Sequence, residues 1–191
     1  MPIRTADDAR AYGRDLLRGR AVRLRATTED DLAALDAWWE DPEQQALQQL
    51  AVRPRPAGSS TEAHRRWASN ADSSGAGFSI EEIDGGDFAG HVTLWGARLP
   101  ERDAHLAMVV GPQHQGRGLG GEAVRLMVRY GFLAMGLNRI QLETFAFNDR
   151  ALRAYRGAGF VQEGVRREAV WIDGGFQDEV IMSILRREWT P

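Results

Sequence analysis

The 191-residue sequence contains no cysteine. That absence excludes disulfides, thiolate metal sites and a thiol nucleophile, so any sulfur chemistry has to arrive on a cofactor. Long apolar runs are missing as well, and no stretch approaches the ~20 residues that a membrane-spanning helix needs. The first twenty residues, MPIRTADDARAYGRDLLRGR, carry charges throughout and lack the apolar centre of a secretory signal. A cytoplasmic protein with no membrane partner is the expectation. There is no excess of one charge sign either: 24 Lys+Arg stand against 27 Asp+Glu, a net charge of -3, which gives no basic footprint for nucleic acid. The four histidines lack metal-ligand spacing such as H-E-x-x-H, and no metal is expected.

What remains is an ordinary globular composition, 43% hydrophobic and 27% charged, at a length suited to one domain. Residues 1–19 read as an N-terminal extension with helical potential over Thr5 to Leu17, and residues 20–191 as a single domain. Val22 and Leu24 alternate with arginines in a first strand, Ala21 to Arg25. The acidic TEDD at Thr28 to Asp31 caps a helix carrying Leu32, Leu35, Trp38 and Trp39 toward Pro42. A second helical run covers Glu43 to Val52, RPRPAGSS breaks the pattern, and Thr61 caps a third helix with Glu62, Ala63 and Trp67.

From Phe78 onward strands dominate. Phe78 to Ile83 and Phe88 to Trp95 form a hairpin around Asp84-Gly85-Gly86-Asp87, and His105 to Val110 follows. A glycine loop then opens a helix with Leu119, Ala123, Leu126, Met127 and Tyr130 on one face, stopped at Gly136. Arg139 to Phe145 is a strand, Asn148 or Asp149 caps a helix through Ala158, and Gly159 is its left-handed terminator. Phe160 to Ile172 and Phe176 to Leu185 close the chain around Asp173-Gly174-Gly175. Seven strands interleaved with helices predict a mixed α/β sheet.

The loop GPQHQGRGLGGEA, Gly111 to Ala123, admits two readings. Gly116, Gly118 and Gly121 satisfy the dinucleotide pattern G-x-G-x-x-G, with Glu143 at a strand 22 residues later. Against it, five residues separate Val110 from Gly116, where a dinucleotide fold turns at once, and hairpin strands precede the loop. The competing reading takes Gln115 to Gly120 as Q-x-x-G-x-G. Together with Asn148, Ala151, Tyr155 and Gly159-Phe160 in NDRALRAYRGAGF, this resembles the GCN5-related N-acetyltransferase (GNAT) superfamily over roughly Ala21 to Trp189. The segments TEDDLAALDAWWEDPE and FVQEGVRREAVWIDGGFQDEVIMSILRREW look most like its ribosomal-protein N-terminal acetyltransferase (RimJ/RimL-like) branch.

The resemblance implies the GNAT fold: a mostly antiparallel seven-stranded sheet, helices on both faces, and a splay between the fourth and fifth strands. It also implies acetyl-CoA as co-substrate and an amine acceptor, either a protein N-terminus, a polyamine or a small-molecule amine. Its pantetheine arm would lie in the splay against the backbone of Met108, Val109 and Val110, one of whose N–H groups would polarise the thioester carbonyl. The pyrophosphate would rest on Gln115, Gly116, Arg117, Gly118, Leu119, Gly120 and Gly121, with Arg117 adding charge. Asn148 would bond the coenzyme besides capping its helix.

For the chemistry, the resemblance assigns Tyr155 to hydrogen-bond the coenzyme sulfur and to protonate the departing thiolate; without the motif it reads as a tyrosine packed on the sheet. Three routes stay open for the amine proton: Glu143, twelve residues before Tyr155; His105, where histone-type relatives carry a glutamate; or a water relay. Trp38, Trp39, Trp67, Trp95 and Trp171 are candidates to wall the acceptor site, and Asp36, Glu40, Asp41 and Glu43 to attract a cation. His91 and His114 read as ordinary polar residues. A non-catalytic acyl-CoA binding or sensing module is the alternative to an enzyme, and a homodimer is compatible with either.

Overall fold

The computed structural model describes residues 3–48, 52–53 and 55–190. Seven strands make one sheet: β1 (Val22–Arg25), β2 (Ala76–Glu82), β3 (Phe88–Arg98), β4 (Asp103–Val110), β5 (Arg139–Phe145), β6 (Val161–Ile172) and β7 (Gly175–Leu185). Their spatial order is β1-β2-β3-β4-β5-β7-β6. Neighbours pair antiparallel except β4 and β5, which are parallel. That parallel register runs only through Asp103–Arg139, Ala104–Ile140 and His105–Gln141. Beyond His105 the strands part, and the edge of β4 from Leu106 to Val110 has no strand partner on that side. The expected splay between the fourth and fifth strands is there.

Glycine chemistry explains the tight hairpins. Gly85 and Gly86 take φ of +95° and +77°, and Asp173 and Gly174 take +50° and +70°, the left-handed pairs that match the twist of antiparallel strands.

Among the described residues six α-helices flank the sheet: α1 (Ala6–Leu16), α2 (Glu29–Glu40), α3 (Pro42–Gln45), α4 (Thr61–Trp67), α5 (Leu119–Leu133) and α6 (Asp149–Gly157). Across one face lies α5, with Ala123, Val124, Met127 and Val128 fully buried against Ile80, Val92, Leu94 and Ile140. Gly131 permits that approach, because a Cβ there would lie 2.8 Å from Ile140 Cδ1 and 2.9 Å from Leu94 Cδ1. On the other face are α2 and α4, where Asp31 accepts a hydrogen bond from the Ser79 hydroxyl at 2.9 Å. A capping box of Thr5 and Asp8 starts α1, and α5 holds its far end. Arg129 donates to the carbonyls of Asp15, Leu16 and Arg18, and Glu122 accepts from the N–H groups of Arg20 and Ala21.

Two local expectations fail for tertiary reasons. The helix foreseen over Glu43 to Val52 ends at Gln45, followed by a turn through Gln48; residues 49–51 lie outside the described residues. Buried Gln45 donates to the Trp39 carbonyl at 3.0 Å and accepts from Arg53 N–H at 2.7 Å. Eight residues of helix would carry the chain about 12 Å along its axis, so the chain must turn back to make that second bond. Thr61 is not the cap of α4. Ser60 occupies the cap position, and its hydroxyl donates to Glu40 at 2.8 Å instead of accepting from the helix.

Candidate active site

Where β4 leaves β5, a cavity of about 860 Å³ opens. Its floor is β4 from His105 to Val110, one wall is the loop running into α5, and a second wall is the first half of α6. The remaining side is closed by α2, α4 and the adjacent turn. Of the residues foreseen to hold a coenzyme, Met108, Val109, Val110, Gln115, Gly116, Gly118, Leu119, Gly120, Gly121, Asn148 and Tyr155 all border this one space.

The loop is shaped for a backbone-held anion. Gly116 and Gly118 have φ of +74° and +81°, and a Cβ on either would meet nothing within 4 Å, so open space faces the loop and the first amides of α5. Gly120 does the opposite job. A Cβ there would come within 3.1 Å of Met108 Cε and 3.2 Å of Val110 Cγ2, so the missing side chain lets α5 start directly on β4. Gln115 ties three elements together, donating to the Val110 carbonyl and to Gln44 Oε1, each at 3.0 Å, and accepting from Arg150. A pyrophosphate fits this cradle. Asn148 caps α6 by accepting from Ala151 N–H at 3.1 Å while facing the cavity.

Arg117 does not border the cavity. Its guanidinium forms two 2.6 Å bonds to Glu82, and the same carboxylate lies 2.6 Å from His114 Nδ1. Glu82 therefore straps β2 to both flanks of Gly116, and the Arg117 hydrogen bonds hold its carboxyl below the ordinary range. Arg150 and Arg153, by contrast, do line the cavity. They stand on α6 three residues apart, a basic pair visible in NDRALRAYRGAGF.

The two candidate bases meet. His105 Nδ1 lies 3.5 Å from Glu143 Oε2, His105 stacks on Trp95 with ring centres 4.5 Å apart, and its Nε2 is 2.8 Å from the Gln141 amide nitrogen. With that amide donating, Nε2 accepts, and a neutral ring carries its proton on Nδ1, the atom that faces Glu143. The arrangement sits at the last paired rung before the strands part.

Tyr155 is 8% exposed, held on α6 with its ring 5.9 Å from that of Phe160. Burial pushes its phenol up to about 12, so it is protonated throughout the neutral range.

All four histidines line this cavity, which composition does not reveal. His91 and His114, foreseen as ordinary polar residues, are 4% and 7% exposed. Burial pulls His91 down to about 4 and lowers His64 as well. An unfolded chain takes up a proton at His91 near pH 6.5, whereas the folded chain refuses it until about pH 4. The resulting stability is complete above 6.5 and is lost as pH falls toward 4, on the order of 3 kcal/mol in all. Urea unfolding of His91→Asn between pH 7 and 4.5 should show a shallower acid loss than the parent protein; equal slopes would refute it.

Among the expected acceptor residues, Trp39, Trp67 and Trp95 border the cavity. Trp38 stacks instead on Phe88 at 5.1 Å, and Trp171 packs edge-on against Phe176 at an exposed hairpin tip. Three of the four expected carboxylates are committed elsewhere. Asp36 accepts from Gly58 and Ser60 N–H, Glu40 from Ser60 and Arg55, and Asp41 from Glu43 N–H. Neither these three nor Glu43 reaches the cavity wall.

A model of the acetyltransferase (GNAT) domain family matches residues 21–161. The chain belongs to the GNAT acetyltransferase family. Its sequence is similar to the spermidine N(1)-acetyltransferase of Escherichia coli (strain K12), 30% identical over 110 residues, which are 58% of this chain and 59% of that protein. It is similar to the putative ribosomal N-acetyltransferase YdaF of Bacillus subtilis (strain 168) as well, 27% identical over 104 residues, 54% and 57% of the two chains. The matched part thus spans less than two thirds of either curated relative. In structure the GNAT fold overlays spermidine N-acetyltransferase from Vibrio cholerae in complex with CoA and spermine with a TM-score of 0.78 at 24% identity, covering 88% of this chain and 97% of that one. The dinucleotide reading of the glycines falls with this topology, because the strands leading into the loop form an antiparallel meander and not the start of a parallel sheet. No helix among the described residues is long and apolar enough to cross a membrane.

Proposed function

We propose that this GNAT protein is an acetyl-CoA-dependent N-acetyltransferase that moves an acetyl group to a primary amine in a ternary complex. The observation that carries the reading is the convergence of a protonated tyrosine and a His105–Glu143 contact at the mouth of the β4–β5 splay, beside a glycine cradle. The α5 amides from Gly118 onward take the pyrophosphate, joined by Arg150 and Arg153, while Met108, Val109 and Val110 offer the unpaired edge of β4 to the pantetheine amides.

The amine lone pair attacks the thioester carbon, a C–N bond forms, and the C–S bond breaks with its electrons on sulfur. Tyr155 then gives its phenolic proton to the thiolate and recovers one from solvent. His105 and Glu143 act as one proton-accepting pair. Glu143 orients the Nδ1–H tautomer and balances the imidazolium formed when Nε2 takes the amine proton, Gln141 yielding its hydrogen bond. Two segments of the sequence resemble the ribosomal-protein branch, yet at the same 30% identity the match to a spermidine N(1)-acetyltransferase is longer, 110 residues against 87 for a ribosomal-protein alanine N-acetyltransferase, and the acceptor is read from the cavity.

Thiol release from acetyl-CoA across a panel of amines tests the enzyme reading. Tight coenzyme binding with no release on any amine would favour a sensing module instead. Within the enzyme reading, Glu143→Gln and His105→Ala should each cut turnover roughly 100-fold, and the double variant scarcely more, because partners in one proton path do not add. Fully additive losses would separate the two residues.

A further inference from the structure

We infer that the acceptor is a primary monoamine with an uncharged aromatic body, seated among Trp39, His64, Trp67 and His91, and not a polycation. The inference rests on acetyl transfer at this same site and concerns its other end, away from the coenzyme.

The charge inventory of the cavity is one-sided. Among the described residues that line it, Glu143 is the sole carboxylate, and it stands at the splay where the reacting nitrogen must come. Asp31, Asp36, Glu40 and Asp41 of α2 and the following turn are already bonded to backbone amides, Ser60 or arginines, and the exposed Asp30 and Glu43 do not line the cavity. A polyamine would bring further ammonium groups, each losing water without gaining a carboxylate. A tryptophan face can hold one cation, but the reacting amine must itself be neutral when it attacks, so the body carrying it gains most by being neutral too.

The lining is built for such a body. The rings of Trp39, His64 and Trp67 form a mutual edge-to-face triad, with centres 5.1, 5.6 and 5.5 Å apart and interplanar angles of 78°, 64° and 60°. A flat ring extends that set by the same contacts. Its polar points are unpaired. Both ring nitrogens of buried His64, Nε2 of His91 and both amide atoms of Gln48 lack any hydrogen-bond partner. Burial keeps both imidazoles neutral, so His64 offers one donor and one acceptor and His91 its Nε2 to an uncharged hydroxyl or amide, and neither gives a second ammonium anything anionic to meet.

The test compares tyramine, one amine on a phenol ring, with spermidine by thiol release from acetyl-CoA. Tyramine should show at least tenfold higher kcat/KM. Gln48→Glu, which swaps a neutral amide for a carboxylate of the same shape outside the catalytic machinery, should raise the spermidine-to-tyramine ratio at least fivefold. Spermidine matching or exceeding tyramine in the parent protein, or a ratio unmoved in Gln48→Glu, would overturn the inference. If neither amine releases thiol, acetyl transfer itself fails. Quenching of tryptophan fluorescence in the CoA-loaded protein then decides separately: tighter tyramine binding upholds the neutral site, and tighter spermidine binding removes it.

Discussion

Tyr155→Phe should lower turnover by roughly 100- to 1000-fold while leaving coenzyme affinity within about threefold. The asymmetry follows from where the residue stands. Its ring is packed beside Phe160 and would survive the substitution intact, whereas the residue lines the cavity and its hydroxyl makes no hydrogen bond that the fold depends on. In the proposed complex the coenzyme is held chiefly by the glycine cradle, the β4 edge and the α6 arginines, and the lost oxygen would reach only its sulfur. Only the proton delivered to the departing sulfur disappears. Because the phenol is raised to about 12, the acid is fully loaded at any working pH, so no limb of the pH–rate profile below pH 10 should belong to it. Pre-steady-state thiol release and coenzyme titration calorimetry check both halves. Unchanged turnover at an acetyl-transfer-limited rate would remove Tyr155 from the chemistry.

Glu82→Ala should weaken coenzyme binding at least tenfold and cost about 2–3 kcal/mol of stability, with turnover at saturating coenzyme close to the parent value. Glu82 is 6% exposed and holds Arg117 by two bonds and His114 by one, so its removal frees both flanks of Gly116 together and leaves buried His114 without its partner. The cradle must then be ordered at the expense of coenzyme binding. Since Arg117 keeps the carboxyl ionised below its ordinary range, the strap is present above pH 4.5 and is lost only as pH falls below that. Calorimetry and urea unfolding separate the two effects: lower stability with unchanged coenzyme affinity would make the cluster a packing device alone.

The parts of this fold legible in the sequence are those set by residues close to one another along the chain. Gly85-Gly86 and Gly174 announce their hairpins because few other residues accept a left-handed φ, and alternating apolar residues mark the strands. The superfamily was legible through two motifs at fixed separation, Gln115 to Gly120 and Asn148 to Phe160, where the glycine count by itself suited a nucleotide fold equally well. What escaped depends on distant partners. Arg117 looked like an anion ligand because Glu82, 35 residues earlier, is invisible to local pattern. The run at Glu43 has helix propensity that the Gln45 tether to Arg53 overrides. His64 and His91 lie 27 residues apart on different elements, and nothing in either neighbourhood foretells one shared wall.

Three rungs join β4 to β5, and they divide the sheet mechanically into two leaves, β1–β4 and β5–β7–β6. Everything past Gln141 is an open seam, so Asp103–His105 and Arg139–Gln141 behave as a hinge pin near one end of a book. A molecule lodged between the leaves binds the folded chain and not the unfolded one, and rivets them. The melting temperature then rises with the concentration of that molecule by mass action, by about 2.7 kcal/mol of added stability at 100 times its Kd. On the proposed coenzyme binding, how firmly the protein stays folded becomes a gauge of how much coenzyme surrounds it.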